Sequence, residues 1–468
     1  MLRLGFVGSA LFLIQPFVAT AAIEPASDPV TTPSLVQLSS DDPCHRCTQF
    51  FLPGAHATSP HAEFRIDSDL PEIFETTGVL YTTRQLLPPF LTQEGVEVPE
   101  NKRLQIRRDF EAITGPFEVY IYHLSREKAP GETRRIVTLV RNVGEEAVEL
   151  TPRDSMHHGP NAGQVFSVES KLAIAVLREE WDRNGPTQTV EPGGWAVVSQ
   201  TKAIGAEVDD EDQTRARFIT GIVRCDVHSQ GEQQPKLEVW VIAIDGSART
   251  HEEMIAQGIS LLNQGAKSGE STIDFLTMPS GCQVRRVCGV GPNVLWRSER
   301  MEVDVNTVPT SGGIPFRMAM FGTQSKGCEF ARQSVDLFQY PSYAQPDSVG
   351  NYMMEYHVQF ALTNPGSEDK VMDVRVGKDD APIGIALQHT LGEAPADYDE
   401  LSKKPVRVTW AGPRRVADRP PFFDASLLAP EDKLVIPAGT TRHLDMRLMV
   451  VGTSSLPYVL MLTPAEKE

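Results

Sequence analysis

Residues 352–376 read YMMEYHVQFALTNPGSEDKVMDVRV, and the fold class is decided there. Met354, Tyr356, Val358, Phe360 and Leu362 fall on one side of an alternating pattern, and Glu355, His357 and Gln359 fall on the other. A period of two predicts a strand with one face in a core and the other in water. Asn364-Pro365-Gly366 then supplies a turn, because proline fixes its own φ and glycine takes positive φ freely. Met372, Val374 and Val376 resume the alternation, so the stretch reads as two strands joined by a bend.

A second copy of this unit lies upstream in residues 135–150, RIVTLVRNVGEEAVEL. Placing Asn142 on Asn364 puts Gly144 on Gly366, Val140 on Leu362 and Ile136 on Val358. Each copy is followed by a Pro/Gly turn and a strand: Glu191-Pro192-Gly193-Gly194 into Trp195-Ala196-Val197-Val198, and Pro437-Ala438-Gly439 into residues 444–450. Each ends in an apolar strand, residues 239–244 and 458–462. Each is preceded by an opener, Gly78-Val79-Leu80-Tyr81 and Asn293-Val294-Leu295-Trp296. Four matches in one order predict a duplicated β-domain. Two unrelated sandwiches drawing on the same turn residues would share some of this order, since such turns recur in any sandwich.

The chain has 468 residues, enough for roughly two or three domains, each able to bury its own core. Thirty-five prolines and thirty-five glycines suit many short strands joined by turns. A formal net charge of −18 argues against a nucleic-acid partner, which needs a basic footprint, and against electrostatic attachment to anionic lipid.

At the N-terminus, Arg3 precedes an apolar core in residues 5–18, and Ala19-Thr20-Ala21 forms a small-residue cleavage site. This is the pattern of a secretory signal peptide over residues 1–21. The apolar run is shorter than a bilayer span and Pro16 interrupts it. No later stretch is apolar enough to span a membrane. The mature chain is therefore expected outside the cytosol, in the periplasm or at the cell surface.

Export changes how the six cysteines are read, since an oxidising compartment favours disulfides. Cys44 pairs economically with Cys47 and Cys282 with Cys288, which leaves Cys225 for Cys328. Cys44-His45-Arg46-Cys47 also has the spacing of a redox pair, but the following Thr48–Gly54 stretch breaks too soon for the helix a thioredoxin-type site needs. Thr48 stands where haem attachment requires histidine, and Cys282 and Cys288 are too far apart to complete a zinc site of two CxxC pairs.

Two segments break the β pattern. Residues 167–182 have helical spacing and stop at Asn184-Gly185-Pro186. Thr250-His251-Glu252-Glu253 is a capping box, followed by the stripe Met254, Ile255, Ile259 and Leu262, with Gly265 as its expected end. The first helix reads as an insertion and the second as a helix at the junction, either capping the sandwich or spacing the two domains. Residues 22–60 are a Pro/Ser/Thr-rich arm carrying the CxxC, 61–265 the first sandwich, 266–285 a linker and 286–468 the second sandwich. The fold expected is all-β: two tandem β-sandwich domains with one inserted helix and one junction helix.

This order resembles a family of exported bacterial proteins, best known from cyanobacteria, catalogued as domain of unknown function 3370. The residues that carry the resemblance are Gly78-Val79-Leu80, Val140-Arg141-Asn142-Val143-Gly144, Thr250 to Glu253, and Gly350-Asn351-Tyr352 through Asn364-Pro365-Gly366. It covers roughly residues 66–464. The resemblance implies a secreted β-rich protein and carries over no catalytic or binding residue. The cysteine-bearing arm departs from the family pattern.

Candidate chemistry is sparse. Met156-His157-His158 suits Cu or Zn by ligand type, and residues 159–163 place it in a loop, with no third ligand to assign. Residues 207–212, EVDDED, offer Asp209, Asp210 and Asp212 to a calcium ion, but without the spacing of an EF-hand. Met318 and Met320 share a strand face and read as core. No nucleophile elbow, zincin motif or phosphate-cradling loop is present. Tyr340, Tyr343, Trp410, Phe422 and Phe423 have the chemistry to stack on sugars or to fill a core. No cofactor is implied. The expected function is that of a non-catalytic envelope protein, binding or structural, with polysaccharide or protein as ligand. The alternatives are a secreted glycan-active hydrolase and a periplasmic metal-binding protein.

Overall fold

The computed structural model describes residues 54–69, 77–83, 111–125, 132–159, 165–205, 217–268, 288–310, 313–318, 335–341, 353–378, 383–414, 422–451 and 458–465, with the short pieces 30–31, 50–51, 73–74 and 104–106 and residue 333. The expected signal peptide (residues 1–21), Cys44, Cys47, Cys282 and Cys328 lie outside the described residues.

Alternating β-branched and aromatic runs become strands. The first half holds β1 (Gly54–Thr58), β2 (Phe64–Ser68), β3 (Gly78–Thr82), β4 (Phe117–Ser125), β5 (Thr133–Asn142), β6 (Val148–Gly159), α1 (Val165–Arg178), β7 (Gln188–Val190), β8 (Trp195–Gln200), β9 (Arg217–Ser229), β10 (Leu237–Asp245) and α2 (His251–Ser268). The second holds β11 (Cys288–Pro292), β12 (Val294–Asp304), β13 (Ile314–Met318), β14 (Glu355–Asn364), β15 (Lys370–Lys378), β16 (Ile383–Gly392), α3 (Tyr398–Ser402), β17 (Arg407–Arg414), β18 (Phe422–Ser426), β19 (Leu434–Ile436), β20 (Thr440–Val450) and β21 (Tyr458–Pro464). The fold is all-β in class, with two sandwiches.

In the first sandwich a sheet ordered β6-β9-β4-β2-β11 packs on a smaller one ordered β8-β5-β10-β3. Ile66, Phe117, Val119 and Ile121 from one meet Ile136, Val140, Val239 and Val241 from the other. The second sandwich is one sheet folded over, β12-β14-β20-β16-β17-β18-β15-β21-β13. Its corner is β17, bonded to β16 in one layer and to β18 in the other. Tyr356, Val358, Phe360 and Leu362 fill the space against Val374, Val376, Leu460 and Leu462.

The duplicated unit is visible at the level of single hydrogen bonds. Asn142 Nδ2 donates to the carbonyls of Glu146 (2.8 Å) and Val190 (2.9 Å), and its Oδ1 accepts from Gly144 N–H (2.9 Å). Asn364 Nδ2 donates to the carbonyls of Glu368 (2.8 Å) and Ile436 (3.0 Å), and its Oδ1 accepts from Gly366 N–H (3.1 Å). The Pro/Gly turns correspond as well, with Gly193 at φ 75 and Gly439 at φ 68. The openers and closers do not correspond. β3 sits at the sheet end, bonded to β10, whereas β12 lies directly beside β14 and parallel to it. β21 pairs with β15 as β9, not β10, pairs with β6. Matching order along the chain had placed strands together that occupy different positions in the sheets.

Two chain segments stitch the halves. β1 lies antiparallel to β12 in the second sandwich, and β2 lies antiparallel to β11 in the first. Between them Ser59 N–H donates to the Asn293 carbonyl (3.0 Å) and Asn293 N–H to that of Glu63 (2.9 Å), so one ribbon runs unbroken across both sandwiches. Residues 54–58, expected in a loose arm, are therefore a strand held by pairing with β12.

Of the two helices it is the inserted one that stands between the sandwiches, while the second takes the capping role of the two expected for it. Val168, Leu172, Ala173, Val176 and Leu177 of α1 pack against Tyr120, Tyr122, Phe218 and Ile222 on one side and Ala386 and Met449 on the other, so α1 is the wedge between the sandwiches. α2 covers the outer face of the smaller sheet, with Met254 against Val79, Leu139, Trp240 and Ile242. Its capping box forms as read: Glu253 N–H donates to Thr250 Oγ1 and Thr250 N–H to Glu253 Oε2, both at 3.2 Å. The helix runs through Gly265 to Ser268, since an isolated glycine weakens a helix without ending it. Among the described residues no helix is long and apolar enough to cross a membrane.

Candidate functional site

The inward face of β14 is as predicted, but the outward face is not in water. Glu355, His357 and Gln359 are buried too, among polar side chains of the second half, with Arg447 on Glu355 and Asp445 on Gln359. They open a polar seam between the two halves.

β20 contributes the centre of that seam. Arg447 lies in register with His357 on one side and Gln388 on the other, and it is fully buried. Its Nε and Nη2 donate to the two oxygens of Glu355, both at 2.9 Å. Nη2 also donates to Tyr398 Oη (2.7 Å), and Nη1 donates to Gln388 Oε1 (2.9 Å) and to the Leu177 carbonyl (3.3 Å). All five guanidinium hydrogens are thus used, the condition under which a buried arginine is tolerated. The Leu177 carbonyl belongs to the last turn of α1, so the cation also faces the negative end of that helix. The Tyr398 ring lies 4.4 Å from the guanidinium carbon.

α1 ends beside this arginine in a Schellman turn. Glu180 N–H donates to the Ala175 carbonyl (2.9 Å) and Glu179 N–H to that of Val176 (3.2 Å). The left-handed residue is Glu179, at φ 55, where glycine is usual. Its carboxylate stands 3.6 Å from His61 Nδ1, and His61 Nε2 is 2.8 Å from Tyr398 Oη. Burial, followed by the charges of Arg224, Arg447 and Arg153, holds the His61 pKa down at about 2. The ring is neutral, so its contact with Glu179 is not an ion pair.

The first sandwich faces the seam with a cross-strand row, Arg153 on β6, Arg224 on β9, Glu118 on β4 and Arg65 on β2. Glu118 accepts from Arg224 Nε (2.7 Å) on one oxygen and from Arg65 Nη1 (3.2 Å) on the other. Arg65 Nε reaches Asp67 Oδ1 (2.9 Å), and its Nη1 also reaches the Met353 carbonyl (3.2 Å) in the second half. Burial raises the Asp67 carboxyl above its ordinary range, with Arg65 pulling the other way. Met353, at φ 54, is a second left-handed non-glycine residue, and like Glu179 it belongs to this seam. Such strain persists where surrounding structure fixes it, as it does between two packed bodies.

A second row continues along the sheet. Asp445 is fully buried; its Oδ1 accepts from Gln359 Nε2 (2.8 Å) and Arg300 Nη2 (3.2 Å), and its Oδ2 from Ala396 N–H (3.0 Å). The sequence reading missed Arg447, Tyr398, His61, Glu118 and Asp445. A signal existed in His443, Asp445 and Arg447 alternating with Leu444, Met446 and Leu448 on the strand beside Glu355, His357 and Gln359. Two neighbouring polar faces of complementary charge mark a seam as readily as a solvated surface.

The residues singled out from sequence are not gathered here. His157 and His158 lie on β6 rather than in a loop, and adjacent strand residues point to opposite faces. His157 Nε2 faces Asp182 Oδ2 at 3.5 Å. Among the described residues no group of three or more His, Cys, Asp or Glu is placed to hold a metal ion. Asp209, Asp210, Asp212, Met320 and Tyr343 lie outside the described residues, as do the side chains of Cys288, Tyr340, Phe422 and Phe423. Met318 is core. Trp410 is half-buried, its ring lying on Gly384 where a Cβ would stand. Cys225 is a free thiol in this structure, and Cys328, its expected partner, lies outside the described residues: β9 turns Cys225 into the apolar core of the first sandwich, where burial pushes its pKa well up.

Fold and seam together define a two-sandwich β-protein whose charged groups converge on the contact between its halves. No protein-family model matches the chain, and no curated protein matches it.

Proposed function

We propose that the chain is an exported, non-catalytic protein of the cell envelope, binding or structural, with polysaccharide or protein as its ligand. The observation that carries this reading is the saturation of the seam. Both oxygens of Glu355 are taken by Arg447, and both of Glu118 by Arg224 and Arg65. Glycosyl transfer to water needs a pair of carboxyl groups flanking an open substrate position. Here each acid is locked to arginines of its own half, and Arg447 and Arg65 reach on to carbonyls of the other half, which suits a rigid scaffold presenting its loops and edges to a partner. Export is supported by the signal-like N-terminus.

Cell fractionation, combined with binding of the mature chain to an array of envelope glycans and to envelope extracts, tests the proposal. The expected result is an exported protein that is retained on glycan or on an envelope protein and releases no reducing sugar. Hydrolysis that disappears in Glu355→Gln or Glu118→Gln would replace this reading with that of a hydrolase. Stoichiometric Cu, Zn or Ca in the purified protein would replace it with metal binding, and retention in the cytoplasm would remove it.

A further inference from the structure

One side chain on the seam's sheet differs from its neighbours. His357 is 1 % exposed, yet neither ring nitrogen has a hydrogen-bond partner among the described residues. The nearest anion, Asp445 Oδ1, is 3.9 Å from Nε2, beyond hydrogen-bond reach, and is already engaged by Gln359 and Arg300. A buried imidazole bare on both nitrogens is costly and calls for an occupant.

The strand beside it is bent to suit one. The register between β12 and β14 slips between Arg297 and Arg300, so that these residues oppose His357 and Gln359 respectively. In an unbroken strand, positions three apart face opposite ways; a bulge re-aims one of them. Both arginines therefore lie on the side of His357. Arg300 Nε is buried and unpartnered among the described residues. Arg297 is exposed, next to exposed Ala55 on the edge strand β1, so the group has a mouth. The charged groups facing the imidazole are Arg297 and Arg300 from β12, Glu355 along β14, and Asp445 and Arg447 from β20. Three cations face two carboxylates, and both carboxylates are paired.

We propose that Arg297, Arg300 and His357 form a binding site for a single oxyanion, the carboxylate or sulfate of an acidic saccharide or the same group as a free ion. Arginine is suited to such groups by its planar, multiple donors, and the neutral imidazole adds an N–H from the floor of the site. The site itself stands on this geometry; that its natural occupant is saccharide-borne rests on the envelope-binding reading above.

The test uses the mature chain with labelled histidine, titrated with sodium sulfate, sodium glucuronate, an oligogalacturonide and a neutral oligosaccharide. Without anion, burial and the charges of Arg297, Arg447 and Arg300 hold the His357 pKa down at about 3. The expected result is that the anions, but not the neutral sugar, move the His357 resonances and raise that pKa. Arg297→Ala, at an exposed position, and His357→Gln are each expected to weaken binding roughly tenfold, the loss of one charge-assisted bond. Resonances of His357 unmoved by every anion, or an affinity that Arg297→Ala leaves unchanged, would overturn the site. Binding of free ions without the oligogalacturonide keeps the site and removes the saccharide. Oligogalacturonide bound equally by wild type and Arg297→Ala keeps the saccharide and removes the site.

Discussion

An asparagine buried beneath a turn has four hydrogen-bonding positions to fill, and Asn142 and Asn364 each fill three of them in the same way. Two of those bonds go to carbonyls, one within the turn and one on a strand beside it. Replacing either residue by alanine is therefore expected to cost about 2–3 kcal/mol, visible as a lower denaturant midpoint at unchanged slope. Asn364→Asp should cost at least as much, because a carboxylate accepts but cannot donate to the Glu368 and Ile436 carbonyls. An aspartate as stable as wild type would contradict this. The turn at each asparagine was legible from its glycine two positions on. The bond to Val190 or Ile436 was not, since it depends on a strand arriving from far along the chain. Histidine gives a second residue-scale prediction. The pKa values of His61 and His357 are held at about 2 and about 3, below the ordinary 6.5 of a free imidazole, chiefly by burial. Between those values the unfolded chain binds protons that the folded chain refuses, so stability is whole above about pH 6.5 and falls as pH falls. From pH 7 to 5 the loss is on the order of 2 kcal/mol for each histidine. Unfolding at stepped pH should show this slope, and His61→Gln should make it shallower by the share of one histidine. An unchanged slope in that variant would assign the pH dependence elsewhere.

At the scale of the element, α1 and α2 show what periodicity can and cannot tell. Both were legible as helices: α2 from its capping box, α1 from its spacing and its stop. Their places were not. α2 follows the last strand of the first half, which suggested a junction, yet its single apolar stripe needs only one sheet to cover it. α1 carries Leu172 and Val176 together with Ala173 and Leu177, a wider apolar surface that serves two sheets. Its C-terminus supplies the test. Glu179 holds a left-handed turn at a cost of roughly 1–2 kcal/mol that glycine would not bear. Glu179→Gly is expected to be more stable than Glu179→Ala by about 1 kcal/mol, because both lose the carboxylate and only alanine keeps the strain. Equal midpoints for the two would mean that the turn is not strained in solution.

At the scale of the whole molecule, two devices join the sandwiches, and they should fail differently. The seam joins side chains. Arg447→Ala leaves Glu355 buried without its cation, an effect of about 3–5 kcal/mol, while Glu355→Gln combined with Arg447→Met should recover much of that. The ribbon joins backbone: β1 completes a sheet of the second half and β11 a sheet of the first, so unfolding either half strips a strand from the other. This stitching was illegible because Gly54–Thr58 has no apolar alternation and its partner strand begins only at Val294. The seam was illegible for a related reason, since the polar face of β14 looks the same whether water or a second body covers it. Unfolding should therefore be one transition in wild type, followed by the fluorescence of Trp195 and Trp240 in the first half and Trp296 in the second. Arg447→Ala should move that transition to lower denaturant and leave it single. Breaking the ribbon with proline at Ala55 and Ala57, whose partners on β12 are Arg297 and Leu295, removes pairing along the sheet edge and should split it in two. Two transitions already in Arg447→Ala would make the side-chain seam, rather than the shared strands, the source of coupling between the halves.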